Sequence, residues 1–404
     1  MDWESVSTDE FYDDNLFRLN KIFVTVFGLW PYQDRSSRIR ILIIYWCNVV
    51  VGFTPMIMYL IGVFGDLMKM TKTIMALLIL HVLIVLNINY AVHLHLLKRI
   101  LQKAKKNWED LEDQEEIRVF KNYATEGKIL FIVYIMFGVV AYTIYLSAVT
   151  FLPLTLDYFY PLNESRHLKP LLDVEFFVDE NEYYWYIFVH CLDIMVVAFA
   201  TIVGTDGFFF MVAQHVCGMF AVLGRRIDNV DQVNSKIVRS GKENNRDKLV
   251  CKELAECVQY HQECIKFFED IEESFNLSWI LQLAPNAVII SIAAVHTMNI
   301  EDDPIETFSL VMFTAILAFR LFVICWPGQR IYNHSADIRA HLYDIRWYEF
   351  PPKAKKMIYF MLIGTSRPCQ LTAGKMVSLN FETYGKLMKT SMSYFTFMLS
   401  TNEE

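Results

Sequence analysis

The chain has 404 residues, of which 54% are apolar and 20% charged, with a formal net charge of −8. Soluble domains run about 45–50% apolar and about 25% charged, so this balance argues against a soluble protein. The basic residues are scattered between apolar runs, so no phosphate-binding surface suggests itself, and no Walker loop, HExxH or GxSxG motif marks an enzyme.

Met1 to Glu10 carries acids and no Lys or Arg, so it is no signal peptide, and the first span is expected to serve as the insertion signal. A spanning helix needs ~20 mostly apolar residues. Seven segments qualify, at 39–63, 73–97, 128–152, 184–212, 275–297, 307–327 and 376–400. Lys and Arg between them alternate: five up to Arg40, two at Lys69 and Lys72, eight from Lys98 to Lys128, two at Arg166 and Lys169, nine from Ala213 to Ser274, none near Glu301, and seven from Gly328 to Ala373. Basic loops face the cytoplasm. The reading is an all-α membrane protein with seven transmembrane helices, a cytosolic N-terminus and an extracellular C-terminus. Of three glycosylation sequons, Asn163 falls in the longest extracellular loop, while Asn276 and Asn333 lie at or below the inner face. The orientation is opposite to that of G-protein-coupled receptors, and their Asp/Glu-Arg-Tyr and Asn-Pro-x-x-Tyr signatures are absent.

The long cytosolic segments read as helix. Phe220, Leu223 and Ile227 extend the fourth span, and Leu249, Leu254, Val258, Ile265, Phe268 and Ile271 lead into the fifth. Ser235 to Asp247, with Gly241, predicts a polar turn between them. Ile331 to Tyr348 continues the sixth span, Pro351-Pro352 break the chain, and Lys353 to Gly364 forms a short helix. These projections bundle within one subunit or pack between subunits. The chain divides into a cytosolic N-terminal segment (1–38), spans one to four (39–212), cytosolic extensions of helices four and five (213–274), spans five and six (275–327), a cytosolic anchor (328–373) and the last helix with the C-terminus (374–404).

The seventh span is patterned unlike the others. At 100° per residue, Glu382, Lys386, Lys389, Ser393, Thr396 and Ser400 fall in an arc of roughly 80°. A polar stripe is costly in lipid and fits a helix facing a water-filled pore. A snorkelling Lys pair with hydroxyls bonded back to the backbone is the alternative. Glu301, Asp302, Asp303 and Glu306 in one short outer loop form a candidate pore mouth, where negative charge concentrates cations; a solvated acidic turn is the plainer reading.

Outer halves of several spans are aromatic and sparsely polar, offering His81, Tyr142, Tyr145, Leu146, Tyr186, His190, Met195, Phe199, Phe308 and Met312 as candidate lining of a ligand cavity. Two charges lie deep in the spans. Counted from the outer ends at 1.5 Å per residue, Asp193 is ~15 Å and Arg320 ~20 Å deep, and lone charges mid-membrane are expensive, so the two are expected to pair. The eight cysteines form no CxxC, and neither a disulfide framework nor a metal or cofactor site is expected.

Several spaced patterns resemble the insect odorant receptor family over nearly the whole chain. They include Phe27-Gly28-Leu29-Trp30-Pro31 before the first span; Tyr260-His261, Ile265, Phe268, Ile271-Glu272, Phe275 and Leu281-Gln282 on the fifth helix; and Gly328-Gln329, Ser335, Leu342-Tyr343, Trp347 and Leu371-Thr372-Ala373-Gly374-Lys375. The run ends with Phe381, Leu387, Lys389, Ser391, Ser393-Tyr394, Thr396 and Leu399. The resemblance implies a plasma-membrane, odorant-gated, non-selective cation channel of sensory neuron dendrites, with small volatile organic ligands. It implies a heterotetramer with the shared odorant coreceptor, a pore lined by the seventh helix, an odorant pocket among the outer halves of helices two, three, four and six, and subunit contacts in a cytosolic anchor. Gly218 to Ser274 is short for the coreceptor's own loop, which points to a tuning subunit, and Ser400, Thr401 and Asn402 depart from the coreceptor's apolar helix end. A gustatory-type channel of the same superfamily is an alternative, although its Thr-Tyr-x-x-x-x-x-Gln-Phe ending is absent. A non-conducting seven-helix receptor with a cytosolic partner is another.

Overall fold

Apolar runs longer than a bilayer is thick become helices longer than a bilayer is thick. The computed structural model describes residues 7–159, 168, 170–240, 246–298 and 304–402. Two N-terminal helices, α1 (Thr8–Phe11) and α2 (Arg18–Val26), precede α3 (Arg35–Gly62) and α4 (Leu67–Val92). Then come α5 (Leu94–Glu109), α6 (Gln114–Leu146), a π-helical stretch (Ser147–Phe151) and α7 (Leu152–Phe159). Three long helices follow, α8 (Tyr184–Ser240), α9 (Arg246–Met298) and α10 (Pro304–Asp344). A 3-10 turn (Trp347–Glu349), α11 (Pro352–Gly364), a hairpin of β1 (Thr372–Ala373) and β2 (Val377–Ser378), and α12 (Phe381–Asn402) complete the chain.

Among the described residues, six of these helices are long and apolar enough to cross a membrane. The seventh, α12, has 22 residues, or about 33 Å at 1.5 Å per residue, enough for a ~30 Å hydrocarbon core; its polar stripe lowers its hydropathy. Outward faces are apolar where lipid belongs. On α3, Ile43, Ile44, Val50, Val51 and Ile61 are all exposed in the isolated chain.

At the end that the basic residues assign to the cytosol, the helices converge on a dry core. Leu97, Ile100 and Leu101 of α5 meet Phe220, Leu223 and Ile227 of α8, Leu254 and Ile271 of α9, Ile331 and Leu342 of α10, and Ile358 of α11. One apolar face of each cytosolic projection is therefore covered within one chain, while Tyr359, Phe360 and Ile363 of α11 and Tyr343 of α10 remain exposed. Glu116 and Arg226 form a two-point ion pair there, with Nε–Oε1 at 2.8 Å and Nη2–Oε2 at 2.6 Å, and the guanidinium lies 4.4 Å from the Tyr260 ring centroid.

Several predicted boundaries need correction. The second span does not run to 97. It ends at Val92, where the His93 amide donates to Asn89 O and the chain turns. Leu94, Leu96 and Leu97 continue the apolar pattern, but on the separate α5, whose opposite face carries Lys98, Arg99 and Lys103. Arg99 and Lys103 hold Asp270 of α9 at 2.7 and 2.5 Å. The predicted polar turn from Ser235 to Asp247 is helical at both ends: α8 continues through Ser235 to Ser240, with Ser235 donating to Asp231 O, and α9 starts at Arg246, while Gly241 lies outside the described residues. The third span is prolonged as helix to Phe159.

The hairpin joins the anchor to α12. Thr372 pairs with Ser378 and Ala373 with Val377. Gly374 and Lys375 both have positive φ, 62° and 56°, and the Met376 amide donates to Ala373 O, a turn whose twist suits two antiparallel strands. Asn276 of α9 fixes it: its Nδ2 donates to Thr372 O at 2.7 Å, and its carbonyl accepts from the Gly374 amide at 3.0 Å. At Gly328 of α10 a Cβ would lie 2.1 Å from Leu379 O, so only glycine lets the hairpin's exit strand pass. The neighbouring Gln329 Oε1 accepts from the Phe381 amide at the start of α12, satisfying one of a helix's orphan donors.

Candidate ligand cavity and pore helix

Between α4, α6, α8, α9 and α10, on the outer side of the anchor, lies a cavity of about 430 Å³, within the range of small-molecule sites. Its wall is mostly apolar: Ile79 and Leu80 of α4, Phe137 of α6, Ile202 of α8, Phe313 and Ile316 of α10. The wide space exists because small residues stand where rings approach. Gly138 is one, with Phe199 packed so close that a Cβ would lie 2.2 Å from the ring.

Of the predicted lining residues, Tyr142, Tyr145, Met195, Phe199 and Met312 come together on the cavity wall. The Tyr142 hydroxyl donates to Met195 O at 3.4 Å and the Tyr145 hydroxyl to Leu171 O at 3.0 Å, so both rings are fixed rather than free. His81, Leu146, Tyr186, His190 and Phe308 do not line it. Tyr186 is 77% exposed and Phe308 45%, on the outer surfaces of their helices. His190 packs edge-on to Phe176 of the outer loop. Leu146 packs behind the wall, in an apolar cluster with the cavity-lining Tyr145 and Val149.

The outer end of the cavity carries a charge cluster. Lys72 Nζ of α4 lies 3.6 Å from Asp173 Oδ2 and 3.4 Å from Glu306 Oε1 of α10. Glu306, expected at a pore mouth, lies on the cavity rim, held by this lysine; Glu301, Asp302 and Asp303 lie outside the described residues, as does Asn163.

The inner end holds the deep charges, paired otherwise than expected. Arg320 does not meet Asp193. Its Nε lies 3.2 Å from Asp206 Oδ2, and its Nη2 donates to Gln282 Oε1 at 2.7 Å. Asp206 also accepts from the Tyr134 hydroxyl at 2.8 Å. Four helices, α6, α8, α9 and α10, are thereby joined by one buried polar network. Asp193 instead accepts from Asn48 Nδ2 of α3. The expectation failed because depth was counted from the outer ends. Counted from the inner ends of the predicted spans, Asp206 is ~9 Å and Arg320 ~10 Å deep, whereas Asp193 is ~29 Å. That second count, on the sequence alone, selects the right acid.

The α10 helix connects the cavity to α12. Phe319, on the cavity wall, packs against Phe137 with ring centroids 4.0 Å apart. Three residues on, Phe322 stacks on Phe381 of α12 at 5.6 Å with rings 3° from parallel, and meets Tyr384 edge-on. Along α12, Leu387, Met388 and buried Ser391 face the chain's own helices. Glu382, Lys386, Lys389, Ser393 and Thr396 face away from them and are exposed. Lys386 Nζ meets Glu382 Oε1 at 2.5 Å, and the Thr396 hydroxyl donates to Ser393 O at 3.0 Å. The Ser400 side chain lies outside the described atoms. All eight cysteines are free, and burial pushes the Cys369 thiol of the anchor up to about 12.

The sequence family described as "7tm Odorant receptor" matches residues 61–392. Odorant receptor 2a of Drosophila melanogaster is 31% identical over 153 residues, 37% of this chain and 38% of that protein. Odorant receptor 13a of the same species is 24% identical over 268 residues, 62% of each. The chain thus spans between about two fifths and three fifths of these relatives' lengths. The olfactory receptor OR5 from Machilis hrabei, solved in complex with eugenol, superposes with a TM-score of 0.77 at 12% identity, covering 95% of this chain and 97% of that one. Without eugenol the same receptor gives 0.74, covering 97% and 100%. The fold is shared almost end to end, and with the family match over residues 61–392 the chain belongs to the insect odorant receptor family, whose members are multi-pass membrane receptors and not enzymes.

Proposed function

We propose that this chain is a tuning subunit of an odorant-gated, non-selective cation channel, assembled as a heterotetramer with the odorant coreceptor. The observation that carries the reading is the double duty of α10. The same helix supplies the cavity wall through Phe319 and touches the last helix through Phe322. A small apolar ligand entering the cavity is a load on α10, and α10 is in ring contact with the foot of α12. The cavity's size and mainly apolar lining suit a volatile organic molecule with one or two polar atoms. A likeness in fold to a receptor solved with eugenol favours the same kind of ligand.

The exposed stripe of α12 supports the pore assignment. A polar face that its own chain leaves uncovered, on a helix of spanning length, is expensive in lipid and satisfied by water. Its charges cluster at the anchor end and its hydroxyls farther out, giving a cation path a wide, charged inner vestibule and a narrower neutral segment. Thr396→Lys would place positive charge in that segment. Co-expression with the coreceptor, with odorant-evoked current recorded under varied ion gradients, tests both parts. Unchanged permeability ratios in the variant would assign the stripe to a protein contact. Loss of current under G-protein blockade would favour the non-conducting receptor.

A further inference from the structure

Among the described residues, the polar groups around the cavity are nearly all engaged within the chain, with one exception. Lys72 is held by two acids, Tyr134 donates to Asp206, Tyr145 donates to Leu171 O, His296 is bonded at Met68 O, and Arg320 is shared by Asp206 and Gln282. Asn286 lines the same cavity, is only 3% exposed, and its amide nitrogen is buried without a hydrogen-bond partner, a turn of the terminal carboxamide away from the cavity space. It stands one residue after Pro285 on α9 and four after Gln282, so it occupies the next turn outward on the face that reaches Arg320. The helix around it is otherwise apolar: Ile289, Ile290 and Ala293 pack against Met75 and Leu317. A carboxamide in such surroundings costs stability unless something pairs with it.

We infer that Asn286 is the hydrogen-bond anchor of the cavity and that the ligand class it selects carries an acceptor oxygen, as in ketones, aldehydes and esters. The inference rests on the cavity being the ligand site and adds the chemistry it recognises. An apolar wall distinguishes hydrocarbons of similar size poorly, since a methylene contributes only modestly to discrimination. A polar group left unpaired when the oxygen is missing discriminates more strongly. The amide donates to the ligand's oxygen while the chain stem packs along α4 and α10.

The test uses linear methyl ketones, each paired with the methyl-branched terminal alkene in which a methylidene replaces the carbonyl. In cells carrying the full chain with the coreceptor, ketones should evoke current at concentrations roughly tenfold or more below their alkene partners. Asn286→Leu should raise the ketones' half-maximal concentration by about the same factor and leave the alkenes within about twofold. Asn286→Ser, which keeps a hydroxyl donor, should fall between. Equal potency within the pairs in the unmodified chain overturns the inference without any variant, and so does an equal shift of both members in Asn286→Leu. Heat protection of the full chain in membranes by the same pairs reads binding directly. Ketone-selective protection without current would sustain the anchor while removing the channel reading. Protection that is absent, or equal for ketone and alkene, would remove the anchor.

Discussion

Replacing Arg320 by methionine removes one half of a pair whose partner cannot reach water. Arg320 and Asp206 are both buried, with side chains 7% and 8% exposed and 3.2 Å between Nε and Oδ2. Two unit charges at that separation interact by about 5 kcal/mol at an effective dielectric constant of ~20. Breaking a buried pair by removing one partner costs roughly 3–5 kcal/mol, because the other charge is left uncompensated. Here Asp206 keeps only the Tyr134 hydroxyl, and Gln282 loses its donor. That loss is a large part of a typical total stability of about 5–15 kcal/mol, so Arg320→Met and Asp206→Leu should each deplete surface protein and lower the melting temperature in detergent. The double variant Asp206→Leu/Arg320→Met removes both charges and should recover most of the loss, since apolar replacement of a whole buried pair is often near neutral. Melting curves by fluorescence-detected size exclusion, with surface biotinylation, give the coupling. A coupling below about 0.5 kcal/mol, the scatter expected of independent sites, would refute the pairing. The matched double variant at Asp193 and Arg320 should show no coupling, because Asp193 is bonded to Asn48.

Other perturbations have similarly definite outcomes. Gly138→Ala forces the Phe199 ring, which lines the cavity, away from a Cβ at 2.2 Å, and Tyr142, one turn along the same face of α6 with its ring centroid 4.9 Å away, also blocks retreat toward α6, so the ring is displaced toward the cavity. Potency of the longest ligands in a homologous series should fall about tenfold and that of the shortest should be spared, at a strain of about 1–3 kcal/mol; a uniform shift would place Phe199 outside the ligand's reach. Gly328→Ala meets backbone, Leu379 O at 2.1 Å, and no rotamer change relieves it. It should cost at least about 2 kcal/mol and separate α12 from α10, read as lost surface protein or a constitutively altered current; unchanged expression and gating would argue against the close crossing. Arg226→Lys should restore little of the stability lost in Arg226→Ala, because an ammonium cannot reproduce the two-point contact with Glu116 or the stacking on Tyr260. Equal melting temperatures for lysine and arginine would reduce the contact to a simple charge pair.

The long apolar helices were legible because hydropathy acts locally along the chain. The α12 stripe was legible because helical periodicity alone brings Glu382, Lys386, Lys389, Ser393 and Thr396 to one face. Five of the ten predicted cavity residues reach the cavity and five do not, since which side of a spanning helix faces lipid depends on neighbours that periodicity cannot name. Tyr186 and Phe308 are as aromatic as Tyr142 and Phe199 but stand on outward faces. Asn286 went unnoticed, and Lys72 entered only the charge count. A lone amide one residue after a helix-interior proline was the available signal for the first, and a lysine near the outer end of a span, with acids in the facing loops, for the second. The hairpin at 372–378 hid behind a cluster of residues that resembled the family. Its physical signal was Gly374-Lys375, where glycine opens a turn of two left-handed residues.

The central claim is that a ligand in the cavity opens a pore along α12 without any soluble intermediary. Its most direct measurement is single-channel current from excised patches carrying this chain and the coreceptor, bathed free of nucleotides, with odorant applied and the reversal potential followed in Thr396→Lys. The account predicts that odorant still opens channels in the excised patch and that the variant's relative cation permeability changes. Openings that vanish on excision and return with GTP, together with a reversal potential identical in the variant, would contradict it.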